Sequence, residues 1–149
     1  MDDAAVRPIV LEPGDGERMT LGASSIVYKA SGEDAAGRIA LSEATFAPGY
    51  PGPLPHVHRR MTDIFYVLEG TVRFLVGDEE RDVGAGGFVL MPPGVVHTFS
   101  NPHDAPARLL NIFSPAGLEG YVREVAASGI TDPREMAEVA ARYDFEPAP

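Results

Sequence analysis

A chain of 149 residues with 44% hydrophobic content is long enough to bury a sizeable core, and we expect one domain over 1–149. Its 12 basic and 22 acidic residues give a formal net charge of -10, which repels phosphate backbones and anionic lipids, so we expect no nucleic-acid or membrane partner. Cysteine is absent, which excludes thiolate ligands, and no apolar segment has signal-peptide or membrane-span length, so we predict a cytoplasmic protein.

Short β-favouring runs alternate with turn residues as far as Ser114, which is typical of an all-β protein. The stretch 1–17 receives no assignment. The first runs are MTLGASSIVYKA and RIALSEATFA, and the loop PGYPGPLP follows them. We interpret the next stretch, IFYVLEGTVRFLVGDEE, as a hairpin that turns at Glu69 and Gly70, because glycine supplies the positive φ of a tight turn.

The remaining runs predict further strands and then two helices. Pro93 and Gly94 suit the central positions of a type II turn within GGFVLMPPGVVHTFSN, and ARLLNIFS is the last predicted strand. In GLEGYVREVAASG and DPREMAEVAARYDF apolar residues recur at helical spacing, with Gly129 as a C-cap and Asp132 as an N-cap. We therefore expect two short C-terminal helices within about 115–145, which cover either the β structure or a second subunit.

Two of the four histidines, His56 and His58, are separated by one residue and precede an apolar run. Side chains at positions i and i+2 of a strand point to the same face, so these two imidazoles can share one metal ion. Asp63 follows in the next predicted strand, where alternation places Phe65 and Val67 on its face. An acid on an inward apolar face indicates a functional role.

His97 begins a later predicted strand and can supply a third imidazole. Three imidazoles and one carboxylate suit one divalent ion of Fe, Mn, Ni, Cu or Zn, with ligand distances of about 2.0 to 2.2 Å. Asp63 has three open roles: direct ligand, outer partner of a histidine ring, or solvated acid at the strand end. An alternative interpretation is that His56 and His58 bind no metal and are solvated, since residues at the end of a proline-rich loop are often exposed to water.

The spacing of these residues resembles the two sequence motifs of the cupin family. The second motif, G(X)5PXG(X)2H(X)3N, is matched in full by Gly86, Pro92, Gly94, His97 and Asn101. The first motif, G(X)5HXH(X)3-4E(X)6G, is matched by His56, His58 and Gly70, with Asp63 where glutamate is usual and the leading glycine only loosely placed. PHVHRRMTDIFYVLEGTVRFLVGDE and NPHDAPARLLNIFSPAGLE also resemble small bacterial cupins described as quercetin-dioxygenase-like.

This resemblance implies a double-stranded β-helix, the jelly-roll barrel of the family, over about 18–114, and a homodimer. It also implies one divalent transition metal ion inside the barrel, held by His56, His58, Asp63 and His97. Since a small barrel leaves few side chains to wall its interior, we expect some residues to line a substrate pocket. These residues are Tyr28, Phe46, Met61, Phe65, Phe74, Phe99 and Phe113.

The first functional hypothesis from this resemblance is a metal-dependent dioxygenase that acts on a small aromatic or enolic molecule. Asp63 would be catalytic, either as a ligand or as the base that takes a hydroxyl proton, and such a base needs a pKa raised by apolar surroundings or shifted by contact with the metal. One alternative is a metal-assisted isomerase, cyclase or lyase that uses no oxygen. Another is a non-catalytic barrel that binds a small ligand or stores metal, because fold alone does not settle function.

Overall fold

The computed structural model describes residues 6–149, and most of its regular structure is antiparallel β-strand. Residues 1–5, the start of the unassigned stretch, lie outside the described part. The strands are β1 Glu17–Leu21, β2 Ser24–Ala30, β3 Ala40–Phe46, β4 His56–Val57, β5 Thr62–Glu69, β6 Thr71–Val76, β7 Glu79–Gly84, β8 Phe88–Met91, β9 His97–Ser100, β10 Ala107–Ser114 and β11 Glu146–Pro147. The helices are α1 Leu118–Ser128 and α2 Pro133–Ala140. The predicted all-β class with two short C-terminal helices is confirmed.

Two antiparallel sheets pack face to face. One has the strand order β1-β2-β3-β10-β5-β8, and the other has the order β11-β4-β9-β6-β7. The rings of Phe65 in β5 and Phe74 in β6 lie 5.1 Å apart between the sheets. From β3 to β10 the chain changes sheet at every connection except the one between β6 and β7, as expected of a jelly roll.

The predicted hairpin at Glu69 and Gly70 is wrong. β5 pairs with β10 and β8, whereas β6 pairs with β7 and β9, so the two strands that meet at Gly70 belong to different sheets. The expected glycine turn does form at this position. Gly70 has φ 72, and a Cβ there would lie 2.4 Å from Pro106 O, so only glycine fits. A glycine turn therefore marks a sharp corner without telling whether the flanking strands pair. The hairpin in this region joins β6 and β7 through Gly77.

The C-terminal helices cover one end of the β structure. Tyr121, Val122 and Val125 of α1 are buried in a cluster that also contains Tyr28 and Phe113 of the six-stranded sheet. Both predicted caps form. Gly129 has φ 72 at the end of α1, and the Asp132 side chain accepts a hydrogen bond from Arg134 N at the start of α2. Within residues 6–149, no helix combines the length and apolar character needed to cross a membrane.

Phe74 offers a test of the packing between the sheets, because it is 1% exposed and does not line the cavity described below. We expect Phe74→Ala to lower the free energy of unfolding by about 3 to 5 kcal/mol through lost burial and the cavity left behind. Phe88 is 59% exposed, and Phe88→Ala should change it by less than about 0.5 kcal/mol. Urea unfolding followed by circular dichroism measures both, and equal losses would contradict this description of the core.

Candidate metal centre

Antiparallel pairing brings the predicted histidines together. His56 in β4 lies directly opposite His97 in β9, and His58 follows β4. All three are nearly fully buried, with exposed fractions of 2%, 2% and 1% for His56, His58 and His97. One potential ligand atom from each ring lies within 4.8 Å of the other two. The three imidazoles therefore converge on one buried point.

Backbone carbonyls fix which nitrogen of each ring carries the proton. The distances from Nδ1 to a carbonyl oxygen are 2.8 Å for His56 and Leu54, 2.6 Å for His58 and Asp144, and 2.9 Å for His97 and Val95. Because a carbonyl can only accept, each Nδ1 must donate, and the proton of a neutral ring stays on Nδ1. The lone pair of each Nε2 is then free to bind a metal ion, and the carbonyl holds the ring in that tautomer.

The environment of the rings fits a metal ion. The Nε2 atom of His58 is buried and has no hydrogen-bond partner within the described part of the chain. Burial, assisted by the neighbouring His97, lowers the pKa of His56 to about 3, so this ring is neutral at physiological pH. Since only the neutral imidazole can ligate a metal, the ring of His56 is ready to bind one.

Asp63 lies beside two of the three histidines and is 2% exposed. Its Oδ2 is 3.4 Å from His97 Nε2 and 3.5 Å from His58 Nε2, which is long for a hydrogen bond. Two ligand atoms that are each about 2.1 Å from one ion lie about 3.0 to 3.5 Å apart, depending on the coordination angle. The distances from Asp63 Oδ2 to the two ring nitrogens therefore allow all three atoms to bind one ion, although aspartate is shorter than the usual glutamate.

The pKa of the Asp63 carboxyl is not raised by its apolar surroundings, and the alternative of a shift by a bound metal stays a prediction. Burial acts to raise the pKa of this carboxyl, but the close approach of the His58 and His97 rings outweighs burial and lowers it. The same contact raises the pKa of His58, although burial of that ring acts in the opposite direction. In the metal-free protein Asp63 is therefore held as a carboxylate, the form that can ligate a cation or accept a proton.

Asn111 is a site residue that the sequence analysis missed. Its Nδ2 donates to Asp63 Oδ1 at 2.6 Å and to Ile64 O at 3.0 Å, which leaves Asp63 Oδ2 facing the histidines. In β10 the side chains of Leu109, Asn111 and Phe113 share one face by alternation. A polar residue between two buried apolar residues on that face is the same signal that singled out Asp63, and it would have found Asn111.

Two residues of the second motif support the site through the backbone. Gly94 has φ 88, which fits the predicted type II turn, and its N–H donates to His58 O at 2.8 Å. Asn101 is fully buried, and its Nδ2 donates to the carbonyl oxygens of Phe46, Ala47 and Ala105. These contacts fix the loops around the histidines and do not reach the ion site.

An apolar cavity of about 80 Å³, partly open to solvent, adjoins the centre. His56, His58, Asp63 and Asn111 form its polar wall. Of the residues expected to line a pocket, those that do are Tyr28, Phe46, Phe65, Phe99 and Phe113. The other two expected residues do not line the cavity. The alternation of side chains along a strand predicts that a residue faces inward, but it does not predict where in the interior the side chain lies. Met61 packs with the C-terminal helices, and Phe74 lies between the sheets. The helices and C-terminal segment add Tyr121, Met136 and Phe145.

The sequence model of the Cupin_2 family, described as a cupin domain, matches residues 42–113, from β3 to β10. The chain belongs to the cupin superfamily. The polyketide cyclase RemF from Streptomyces resistomycificus superposes on this cupin with a TM-score of 0.64 and 22% sequence identity, over 72% of this chain and 80% of that one. At this identity the likeness shows the shared jelly-roll fold.

Curated relatives of this cupin match it over part of their own length, between 29% and 52% of each. Germin-like protein subfamily 2 member 1 of Arabidopsis thaliana is 36% identical over 81 residues, which is 51% of this chain and 36% of that protein. Quercetin 2,3-dioxygenase of Bacillus subtilis (strain 168) is 28% identical over 99 residues, 66% of this chain and 29% of that enzyme.

Proposed function

We propose that this cupin is a metal-dependent enzyme that oxygenates a small aromatic or enolic molecule. The observation that carries the proposal is the convergence of three buried imidazole nitrogens with one carboxylate beside an apolar cavity, which His56, His58 and Asp63 line. The distant similarity to quercetin 2,3-dioxygenase supports the same reaction class.

The ion would be held by Nε2 of His56, His58 and His97, and Asp63 Oδ2 would serve either as a fourth ligand or as the acceptor of the substrate's proton. This nitrogen and oxygen set accepts Fe, Mn, Ni, Cu or Zn. When bound, such an ion supplies Lewis acidity for an ionised hydroxyl of the substrate and, if it is a redox-active metal, a means of using oxygen.

The protein's own groups bind the substrate and move its proton. Asp63 accepts the hydroxyl proton at Oδ2, while Asn111 holds Oδ1 and keeps the carboxylate oriented. Phe46 and Phe99 lie with ring centroids 5.4 Å apart on the cavity wall and offer flat apolar surface to a planar ring. Leu118 and Val122 of α1, together with Phe145, form the apolar wall at the helical end of the cavity.

The lining also limits the substrate's charge. Within residues 6–149 no lysine or arginine lines the cavity, whereas the Asp63 carboxylate does. A phosphate or a free carboxylate would lie there without a counter-charge, apart from the ion itself, and burying such a group is costly. We therefore propose a neutral substrate with a hydroxyl next to a carbonyl or a second hydroxyl.

A metal-assisted cyclase, isomerase or lyase is the second candidate, because the pair of Asp63 and Asn111 can move a proton without oxygen. A barrel that only binds a ligand is the third. Oxygen use separates the first candidate from the other two.

The test loads metal-free protein with Fe, Mn, Ni or Cu in separate samples and measures oxygen uptake with a panel of catechols and flavonols. We expect one metal form to consume oxygen in proportion to substrate loss. The metal-free protein, and the protein loaded with redox-inert Zn, serve as matched controls. Substrate conversion without oxygen uptake would favour the second candidate, and binding without conversion would favour the third.

A further inference from the structure

The C-terminal residues return to the metal centre and contact two of its three histidines. Asp144 O accepts a hydrogen bond from His58 Nδ1 at 2.6 Å. The ring of Phe145 stacks on His56, with centroids 3.9 Å apart and 14° between the planes, and it is 4% exposed. Both residues lie beyond 42–113, the part matched by the family model. Their contacts are therefore features of this chain's own C-terminal segment.

A second set of contacts fixes Asp144 itself. Its carboxylate accepts hydrogen bonds from three successive backbone N–H groups, those of Arg59 at 2.7 Å, Arg60 at 3.0 Å and Met61 at 2.9 Å. These residues form the connection between β4 and β5, directly after His58. The carboxylate thus locks the Asp144 carbonyl in place against the His58 ring.

The strand that follows anchors the segment to the same histidines from outside. β11 pairs with β4, with Glu146 opposite Val57 and Pro147 opposite His56. Ala148 N also donates to Pro55 O at 2.9 Å. Because these bonds hold the backbone on both sides of His56, the stacked position of Phe145 is defined by the main chain and does not depend on its side chain alone.

We propose that Asp144 and Phe145 are positioning residues of the metal centre, which set the tautomer of His58 and the ring plane of His56 before an ion binds. The inference rests on the proposed metal site. A buried imidazole without a fixed partner at Nδ1 can place its proton on Nε2 or rotate, and either change removes a ligand. Partners of this kind around metal-bound histidines typically contribute about 10- to 100-fold in metal affinity.

The experiment compares Asp144→Ala and Phe145→Leu with a matched control on the same segment. Glu146→Gln removes the pairing of Glu146 with Arg59, whose side chains are 51% and 63% exposed. Such an exposed ion pair contributes little to stability. All three variants are checked for cooperative unfolding before use, and Phe145→Leu retains the apolar burial that the fold needs.

Two readouts follow on the full chain. In the metal-free protein, at a pH high enough for the His58 ring to be neutral, long-range proton–nitrogen NMR of the imidazoles should show its proton on Nδ1 in the wild type and in Glu146→Gln. In Asp144→Ala we expect a mixture with the Nε2–H tautomer. Titration with Ni²⁺ should give dissociation constants raised by about 10- to 100-fold in Asp144→Ala and about 10-fold in Phe145→Leu. Glu146→Gln should stay within about twofold of the wild type.

The inference is overturned if Asp144→Ala keeps the wild-type tautomer and Ni²⁺ affinity, or if Glu146→Gln weakens binding as much as the other two. Failure of the metal site itself looks different. In that case the wild type binds no Ni²⁺, whereas the NMR comparison in the metal-free protein still reports whether Asp144 sets the ring of His58.

Discussion

Replacing His97 with alanine is expected to weaken the binding of a divalent transition metal by more than about 100-fold. The substitution removes a ligand atom, which costs more than the 10- to 100-fold loss typical of an outer partner. The methyl group of alanine leaves Asp63 and the other two rings without the nitrogen that completes the cluster. Isothermal titration of chelator-treated protein with Ni²⁺ or Mn²⁺ measures the change.

His103 provides the matched control for this prediction. It lies in the loop before β10, and its Nε2 is 3.4 Å from Asp82 Oδ2, away from the three converging rings. His103→Ala should therefore bind metal as the wild type does. If His97→Ala keeps wild-type affinity, or if His103→Ala loses it, the ion site has been assigned to the wrong histidines.

Asp63→Asn is expected to lower turnover by about 100- to 10,000-fold, the range for loss of a positioned proton acceptor. The amide matches the shape of the acid, so burial beside His58 and His97 is preserved while the negative charge is lost. If Asp63 is also a ligand, metal affinity falls in the same variant. Turnover at saturating metal, compared with the affinity itself, separates these two roles.

Asp63→Glu restores the acid that is usual at this motif position, and we expect it to be less active than the wild type. Asp63 Oδ2 already lies 3.4 and 3.5 Å from two ring nitrogens, so an added methylene has to displace the carboxylate or the rings. Asp104→Asn, an exposed acid in the loop before β10, is the control and should leave turnover unchanged. If Asp63→Glu is more active than the wild type, the length of the aspartate side chain is not adapted to this site.

Features set by local geometry could be predicted from the sequence. Side chains two apart in a strand share a face whatever the strand pairs with, so the placement of Phe65 and Val67 beside Asp63 followed from alternation. The caps at Gly129 and Asp132 form for the same reason, since a helix end depends on its own last turn.

Features set by contacts between distant segments could not be predicted in this way. The signal at Gly70 is the same for a hairpin and for a corner between two sheets, because sheet membership depends on which remote strands pair. The contact between Asp144 and His58 is still harder to predict. The adjacent strand β11 has only two residues, which is too short for a periodic sequence pattern. The convergence of His97 with His56 was predictable only through the resemblance to the two family motifs.

The most direct test of a metal ion held by His56, His58 and His97 is anomalous diffraction from crystals of metal-loaded protein, measured on both sides of the metal's absorption edge. We expect one strong anomalous peak about 2.0 to 2.2 Å from Nε2 of each ring, and its distance from Asp63 Oδ2 shows whether that acid is a ligand. Fully loaded crystals with no peak at this point, or with peaks only at surface carboxylates, would contradict the account.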